Sequence, residues 1–210
     1  VHKGGTKAEQ VEKVRELLEV VGLPGDTLSR YPHEFSGGQR QRVGLARALT
    51  LEPKLVIADE PVSALDVSVQ SQVLNLMVRL QRERNLAYVF ISHDLSVVEY
   101  ISDAIAIMYL GRIVEMGPVE TIFERPGHPY TRALIEAIPV PDPRHRREAK
   151  PLEGEAPSPV SPPPGCPFHP RCPFAIDACK ESIPALETMG VSEEGAGREH
   201  VVACIRKGEI

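Results

Sequence analysis

No cysteine occurs before residue 166, so any thiol chemistry is confined to the tail of this 210-residue chain. A basic excess is missing too. Lys and Arg number 24 against 29 Asp and Glu, for a formal charge of −5, which argues against a nucleic-acid binder because neutralising phosphates requires positive charge. No stretch approaches the roughly 18 consecutive apolar residues of a membrane-spanning helix, and no helix pairs a strong apolar face with a basic one. Val1 to Lys7 do not resemble a signal peptide. The expectation is a cytosolic protein that reaches a membrane only through a partner. No internal repeat is visible. What remains is ordinary for a globular chain: 42% hydrophobic and 25% charged residues suffice for one core and an appendage.

Val11, Val14, Leu17, Leu18 and Val21 recur at helical spacing and are closed by Gly22 and Pro24, which predicts an amphipathic helix within 7–23. Leu55 to Ala58 are continuously apolar and run directly into Asp59 and Glu60, the pattern of a strand buried on both faces. Ala87 to Ser92 form a second such run, ending at His93. Between them Val69, Val73, Leu76, Met77 and Leu80 mark a crossover helix, so the two strands are expected to pair in parallel. Ligands of open parallel sheets sit beyond the carboxyl ends of the strands, where Asp59, Glu60 and His93 emerge. Residues 104–116 read as two short strands turning at Gly111, and Val119 to Ile138 as a helix-like run. Nine of the 20 prolines then fall between Pro139 and Pro164, the composition of a linker.

Three motifs carry chemistry. Ser36 and Gln39 have capping-box spacing, and Gly37 and Gly38 between them let a phosphate approach a helix N-terminus; alone, the same residues equally describe a plain capped helix. Asp59 and Glu60 are adjacent acids that normally repel, a pairing suited to a divalent cation and a polarised water but also found in solvated turns. Pro61 turns the chain into Ser63-Ala64-Leu65-Asp66, a polar loop. His93 is delivered to the same sheet edge, although a lone histidine is more often structural.

In their order and spacing, the signature at 35–39, the Walker B strand at 55–60, the D-loop at 63–66 and the switch histidine at 93 resemble an ABC-transporter nucleotide-binding domain. The resemblance implies a RecA-like α/β fold with a parallel sheet, part of a helical subdomain, and ATP and Mg²⁺ as cofactors. It further implies that Ser36, Gly37, Gly38 and Gln39 face the γ-phosphate of ATP on an opposite subunit. Asp59 (through Mg²⁺), Glu60 and His93 would serve their own nucleotide, and Asp66 would reach across the dimer. No Gly-x-x-x-x-Gly-Lys-Ser/Thr is present, nor an adenine platform or Q-loop. The chain therefore reads as the downstream half of such a domain, inactive alone.

Asp59 to Ser68, His128-Pro129-Tyr130-Thr131-Arg132 and the tail around Cys166 and Cys172 are similar to oligopeptide, dipeptide and nickel importer ATPases. That likeness implies a second ATPase subunit, identical or different, two membrane permeases and, indirectly, an extracytoplasmic peptide-binding protein, with the chain peripheral on the cytoplasmic face. The organisation expected is 1–50 helical subdomain, 51–138 ATPase core, 139–165 linker and 166–210 extension. Cys166, Cys172, Cys179 and Cys204 are spaced poorly for zinc. Relatives of the dipeptide type carry a [4Fe-4S] cluster at such cysteines; zinc or unliganded thiols are the alternatives. With few large apolar residues, the tail is expected to depend on metal for its fold. A soluble ABC-type ATPase and a non-catalytic fragment are the competing readings of function.

Overall fold

The computed structural model describes residues 5–139, 152–189 and 199–209, divided into two compact units, Val1–His93 and Asp94–Ile210. That division falls inside the segment expected to be one ATPase core.

In the first unit, Thr6 accepts a hydrogen bond from the Glu9 backbone N–H while the Glu9 carboxylate accepts from the Thr6 N–H, and this capping box opens α1 at Lys7–Val20. The far end has no basic side chain of its own. Arg79 and Arg42 supply the missing donors, reaching the Val20 and Val21 carbonyls at 2.8 and 3.1 Å. α2 spans Gly37–Leu49 and α3 Val67–Arg84, the latter closed by Asn85 in the left-handed region. Leu17, Leu18 and Val21 of the first helical segment meet Ala46 and Leu49 of α2 and Leu76 and Leu80 of α3 in one core.

α3 crosses between β1 (Leu55–Asp59) and β2 (Ala87–Ile91), which pair in parallel from Leu55↔Ala87 to Asp59↔Ile91, as the apolar runs predict. Burial on both faces is not reached. Val56 is buried and Tyr88 packs against the helical core, but Leu55, Ile57, Val89 and Ile91 on the other face are 47–67% exposed. Helices of this unit cover one side only.

The second unit begins with α4 (Leu95–Ile101), whose N-cap Asp94 accepts from the Ser96 N–H at 3.0 Å. β3 (Ala104–Tyr109) and β4 (Arg112–Pro118) form the expected hairpin. Its turn residues Leu110 and Gly111 both have positive φ, 46° and 76°, the twist that suits a two-residue connection. The run expected as one helix over 119–138 is two, α5 (Val119–Glu124) and α6 (Pro129–Glu136). Pro126 and Gly127 interrupt it, and Pro129 lacks the N–H that a helix interior needs, so it opens the second helix.

The tail adds α7 (Ala178–Glu181), β5 (Glu187–Thr188) and β6 (Val201–Val202), completing an antiparallel sheet of order β3-β4-β6-β5. Phe168 is fully buried, with its ring 5.3 Å from Tyr109, 5.4 Å from Tyr130 and 5.7 Å from His128. The tail thus has an apolar anchor that its composition does not reveal. Residues 140–151 of the proline-rich linker lie outside the described residues.

Candidate functional site

Glu60 leaves β1 with φ of 47°, a region that costs a non-glycine residue about 1–3 kcal/mol and persists only where its surroundings enforce it. Here its N–H donates to the Ile91 carbonyl at 3.0 Å, and its Oε1 lies 2.8 Å from His93 Nδ1. Both side chains face solvent, Glu60 at 41% and His93 at 73% exposure. The hydrogen bond with His93 is the largest cause holding the Glu60 carboxyl below its usual range; desolvation opposes it and Ser63 reinforces it. Asp59 ends β1 opposite Ile91, exposed beside them. The three polar groups therefore share the carboxyl end of the parallel sheet, as the spacing implies.

At the start of α2 the Ser36 hydroxyl accepts the Gln39 N–H at 3.3 Å and Gln39 Oε1 accepts the Ser36 N–H at 3.0 Å. Gly38 is buried, and a Cβ there would lie 2.3 Å from Val69 Cγ1; one at Gly37 would lie 3.1 Å from Leu65 Cδ2. Close approach of α2 to the start of α3 is thus a packing reason for glycine that the motif alone does not disclose. Asp66 caps α3, its Oδ1 accepting from the Val69 N–H at 3.0 Å and the Ser68 hydroxyl at 2.8 Å. The bond from the Val69 backbone is the largest cause lowering its carboxyl below the usual range. Gly37 and Gly38 of α2 thereby pack closely against Leu65 and Val69.

Cys166, Cys172, Cys179 and Cys204 are all free thiols and line one small cavity of about 20 Å³ with His128 and His169. The Cys166 N–H donates to the Cys179 carbonyl at 2.8 Å, and a Cβ at Gly165 would sit 2.3 Å from that oxygen, so the glycine permits the closure. Burial pushes the Cys166, Cys172 and Cys204 thiols up, and neighbouring thiols add to it. Burial also drives His128 from 6.5 down to about 4; its Nδ1 accepts the Tyr130 N–H at 3.1 Å, capping α6. Among the described residues, no group of three or more His, Cys, Asp or Glu side chains is placed to hold a metal ion, so side-chain placement gives the expected cluster no support of its own. No helix among them is long and apolar enough to cross a membrane.

Residues 2–63 match the ABC transporter family, and residues 114–179 match the oligopeptide/dipeptide transporter C-terminal region. A Brucella ovis protein named as a peptide import ATP-binding protein is 57% identical over 202 residues, covering 96% of this chain and 62% of that one. The chain belongs to the ABC transporter family. The oligopeptide transport ATP-binding protein AppF of Bacillus subtilis is 55% identical to this ABC chain, covering 97% of it and 60% of AppF. The ABC chain thus spans about three fifths of the length of these relatives. Among solved structures, cbiO1 from Clostridium perfringens, part of the ABC transporter complex cbiONQ, aligns with a TM-score of 0.52 at 30% identity, over 59% of this chain and 49% of cbiO1. The ADP conformation of another ATP-binding cassette aligns at 0.52 and 27%, over 58% of this chain and 49% of that one. The fold is that of the ABC ATPase domain, mixed α/β with a parallel sheet and a helical portion.

Proposed function

We propose that this chain contributes the signature, Walker B, D-loop and switch-histidine elements of an ATPase that energises import of oligopeptides or dipeptides from the cytoplasmic face of a membrane. The observation that carries this reading is the Glu60–His93 pair, 2.8 Å apart at the carboxyl end of a parallel sheet, with Asp59 beside it. Glu60 orients or deprotonates the attacking water, and His93 fixes its carboxylate through the hydrogen bond. Asp59 would hold Mg²⁺, and the ion when bound would supply charge neutralisation to the phosphoryl group. Ser36, Gly37, Gly38 and Gln39 present a helix N-terminus to the γ-phosphate on a second ATPase subunit, and Asp66 sets the loop that reaches the same partner. The sequence holds no phosphate-cradling P-loop motif, so these residues alone bind ATP weakly. The apolar face of Leu55, Ile57, Val89 and Ile91 is the seat for a helix of the ATPase core, because parallel sheets carry helices on both faces. Two permeases and, beyond them, a peptide-binding protein complete the system; the peptide-transporter match over residues 114–179 favours this over a soluble ATPase. In an assembly that also carries a P-loop, Glu60→Gln is expected to keep ATP binding and lower turnover about 10²-fold or more. Turnover within twofold of the parent would overturn the role given to Glu60.

For the tail we propose a metal centre held by Cys166, Cys172, Cys179 and Cys204, which line one cavity as free thiols and would have to draw closer together to bind. An iron–sulfur cluster is favoured over zinc. The C-x5-C-x6-C spacing fits zinc poorly, whereas four thiolates from one short segment suit an iron–sulfur cluster. Its contribution when bound is a structural cross-link. The thiols must lose protons to hold it, so binding weakens as pH falls. Iron and acid-labile sulfide in the parent, lost in Cys172→Ser, are expected; zinc in their place would support the alternative.

A further inference from the structure

Glu115 on β4 is fully buried, and the ATPase reading gives it no work. Its Oε1 accepts the Gly127 N–H at 2.7 Å and His200 Nε2 at 2.7 Å, and its Oε2 accepts the His128 N–H at 3.0 Å. A carboxylate withdrawn from water is tolerated only when its oxygens are met by donors in this way. The donors come from two separate places, the loop that leads into α6 and the residue that precedes β6. Gly127 is shaped for the contact: a Cβ there would lie 2.3 Å from Met189 Sδ and 2.7 Å from Val202 Cγ2.

β6 is short, and besides its ladder it is held by the fully buried Val202 and by the Met189 N–H, which donates to the His200 carbonyl at 2.8 Å. It pairs with β4 through Glu115↔Val202 and Met116↔Val201, and with β5 through two further pairs, a ladder too short to persist without side-chain support. Cys204 follows β6 by two residues, after the Ala203 N–H bonds the Val114 carbonyl at 2.8 Å. The other three cysteines of the cavity lie within 166–179; Cys204 joins them through β6 on its N-terminal side and through Arg206, whose Nη1 donates to the Phe174 carbonyl at 3.2 Å, on its C-terminal side. The second anchored segment carries His128, whose ring lines the same cavity.

We propose that Glu115 is a positioning residue for the cysteine cavity: its carboxylate clasps His200 on one side and the 127–128 loop on the other, and so delivers Cys204 and the His128 ring to the other three thiols. The clasp deepens the metal reading of the cavity, yet it is tested without metal. In the metal-free chain, alkylation rates of the four cysteines are followed by mass spectrometry, together with hydrogen exchange of the amides at 201–203 and in α6. Glu115→Ala is expected to raise Cys204 alkylation about tenfold relative to Cys179 and to release the 201–203 amides. Glu115→Gln, which keeps one acceptor oxygen but sets an NH₂ against a donor, is expected to fall between it and the parent. His200→Ala removes only the tail-side donor; it is expected to free Cys204 and β6 while α6 stays protected. Cys204 reactivity within twofold of the parent in both alanine variants would overturn the proposal. Should Glu115→Ala open the whole unit, His200→Ala decides: selective release of Cys204 supports the clasp, and uniform opening of all four thiols contradicts it. A chain that binds no metal but shows selective release would refute the metal reading alone.

Discussion

Among the described residues, each unit of this protein holds a Glu–His pair of nearly equal length, and the two sit in opposite surroundings. Glu60 and His93 stand 2.8 Å apart with both side chains open to solvent, while Glu115 and His200 stand 2.7 Å apart at 0% and 9% exposure. In the first unit the pair sits on a backbone held at positive φ at the end of a parallel strand, where a ligand can reach it. In the second, the carboxylate is saturated by three donors and no room remains for substrate. Identical functional groups become chemistry or scaffold according to which of them water and ligand can approach.

The contrast can be broken most forcefully at the second unit's hub. Phe168→Ala is expected to cost about 3–5 kcal/mol, read by urea denaturation, because its ring touches Tyr109, Tyr130 and His128 at once. A loss below about 1 kcal/mol would show that the tail is not anchored there.

Titration sharpens the same comparison. His128 is held neutral, its folded value about 4 against 6.5, so the unfolded chain takes up a proton between those values and the folded chain does not. Stability of the second unit is therefore expected to fall as pH drops from 6.5 towards 4, at up to about 1.4 kcal/mol per pH unit. His128→Asn, which can still cap α6, should flatten that slope in denaturation midpoints measured across the window. Glu60 acts in a lower window: its contribution is present above the ordinary carboxylate value of 4.5 and is lost as pH falls through the depressed folded value.

Gly38→Ala tests whether the signature glycine serves packing as well as phosphate. A methyl group driven against Val69 is expected to cost about 1–3 kcal/mol, with partial recovery in the Gly38→Ala, Val69→Ala double variant. An unchanged melting temperature in the single variant would remove the packing role. The smallest effect is at the D-loop, where Asp66→Ala loses a helix cap worth about 1 kcal/mol; no change in thermal melting would mean that the cap seen at Val69 carries no weight.

What could be read in the sequence was local. The spacing of Val69, Val73, Leu76, Met77 and Leu80 between two apolar runs defines a crossover helix and hence a parallel pair, and Ser36 with Gln39 defines a capped start, because both patterns depend on residues within a few turns of one another. Gly111 marks its turn for the same reason. The features that escaped depend on partners far along the chain. Nothing near Gly38 announces Val69, nothing near Phe168 announces Tyr109, and a lone Glu115 in a strand looks like any solvent-facing acid until Gly127, His128 and His200 surround it. Pro126-Gly127 was a readable interruption between α5 and α6, outweighed by apolar spacing on either side. The open face of Leu55, Ile57, Val89 and Ile91 follows a different logic, since a sequence pattern reports that a face wants burial and not whether the chain at hand supplies the cover.

The most direct test of the proposed division between a nucleotide-facing unit and a self-contained one is calorimetric titration of Mg-ATP into this chain, alone and joined to a segment that carries a P-loop. Binding only in the joined protein, weakened by loss of the P-loop lysine, is the expected result. Micromolar binding by the chain alone would contradict it and place the phosphate site elsewhere.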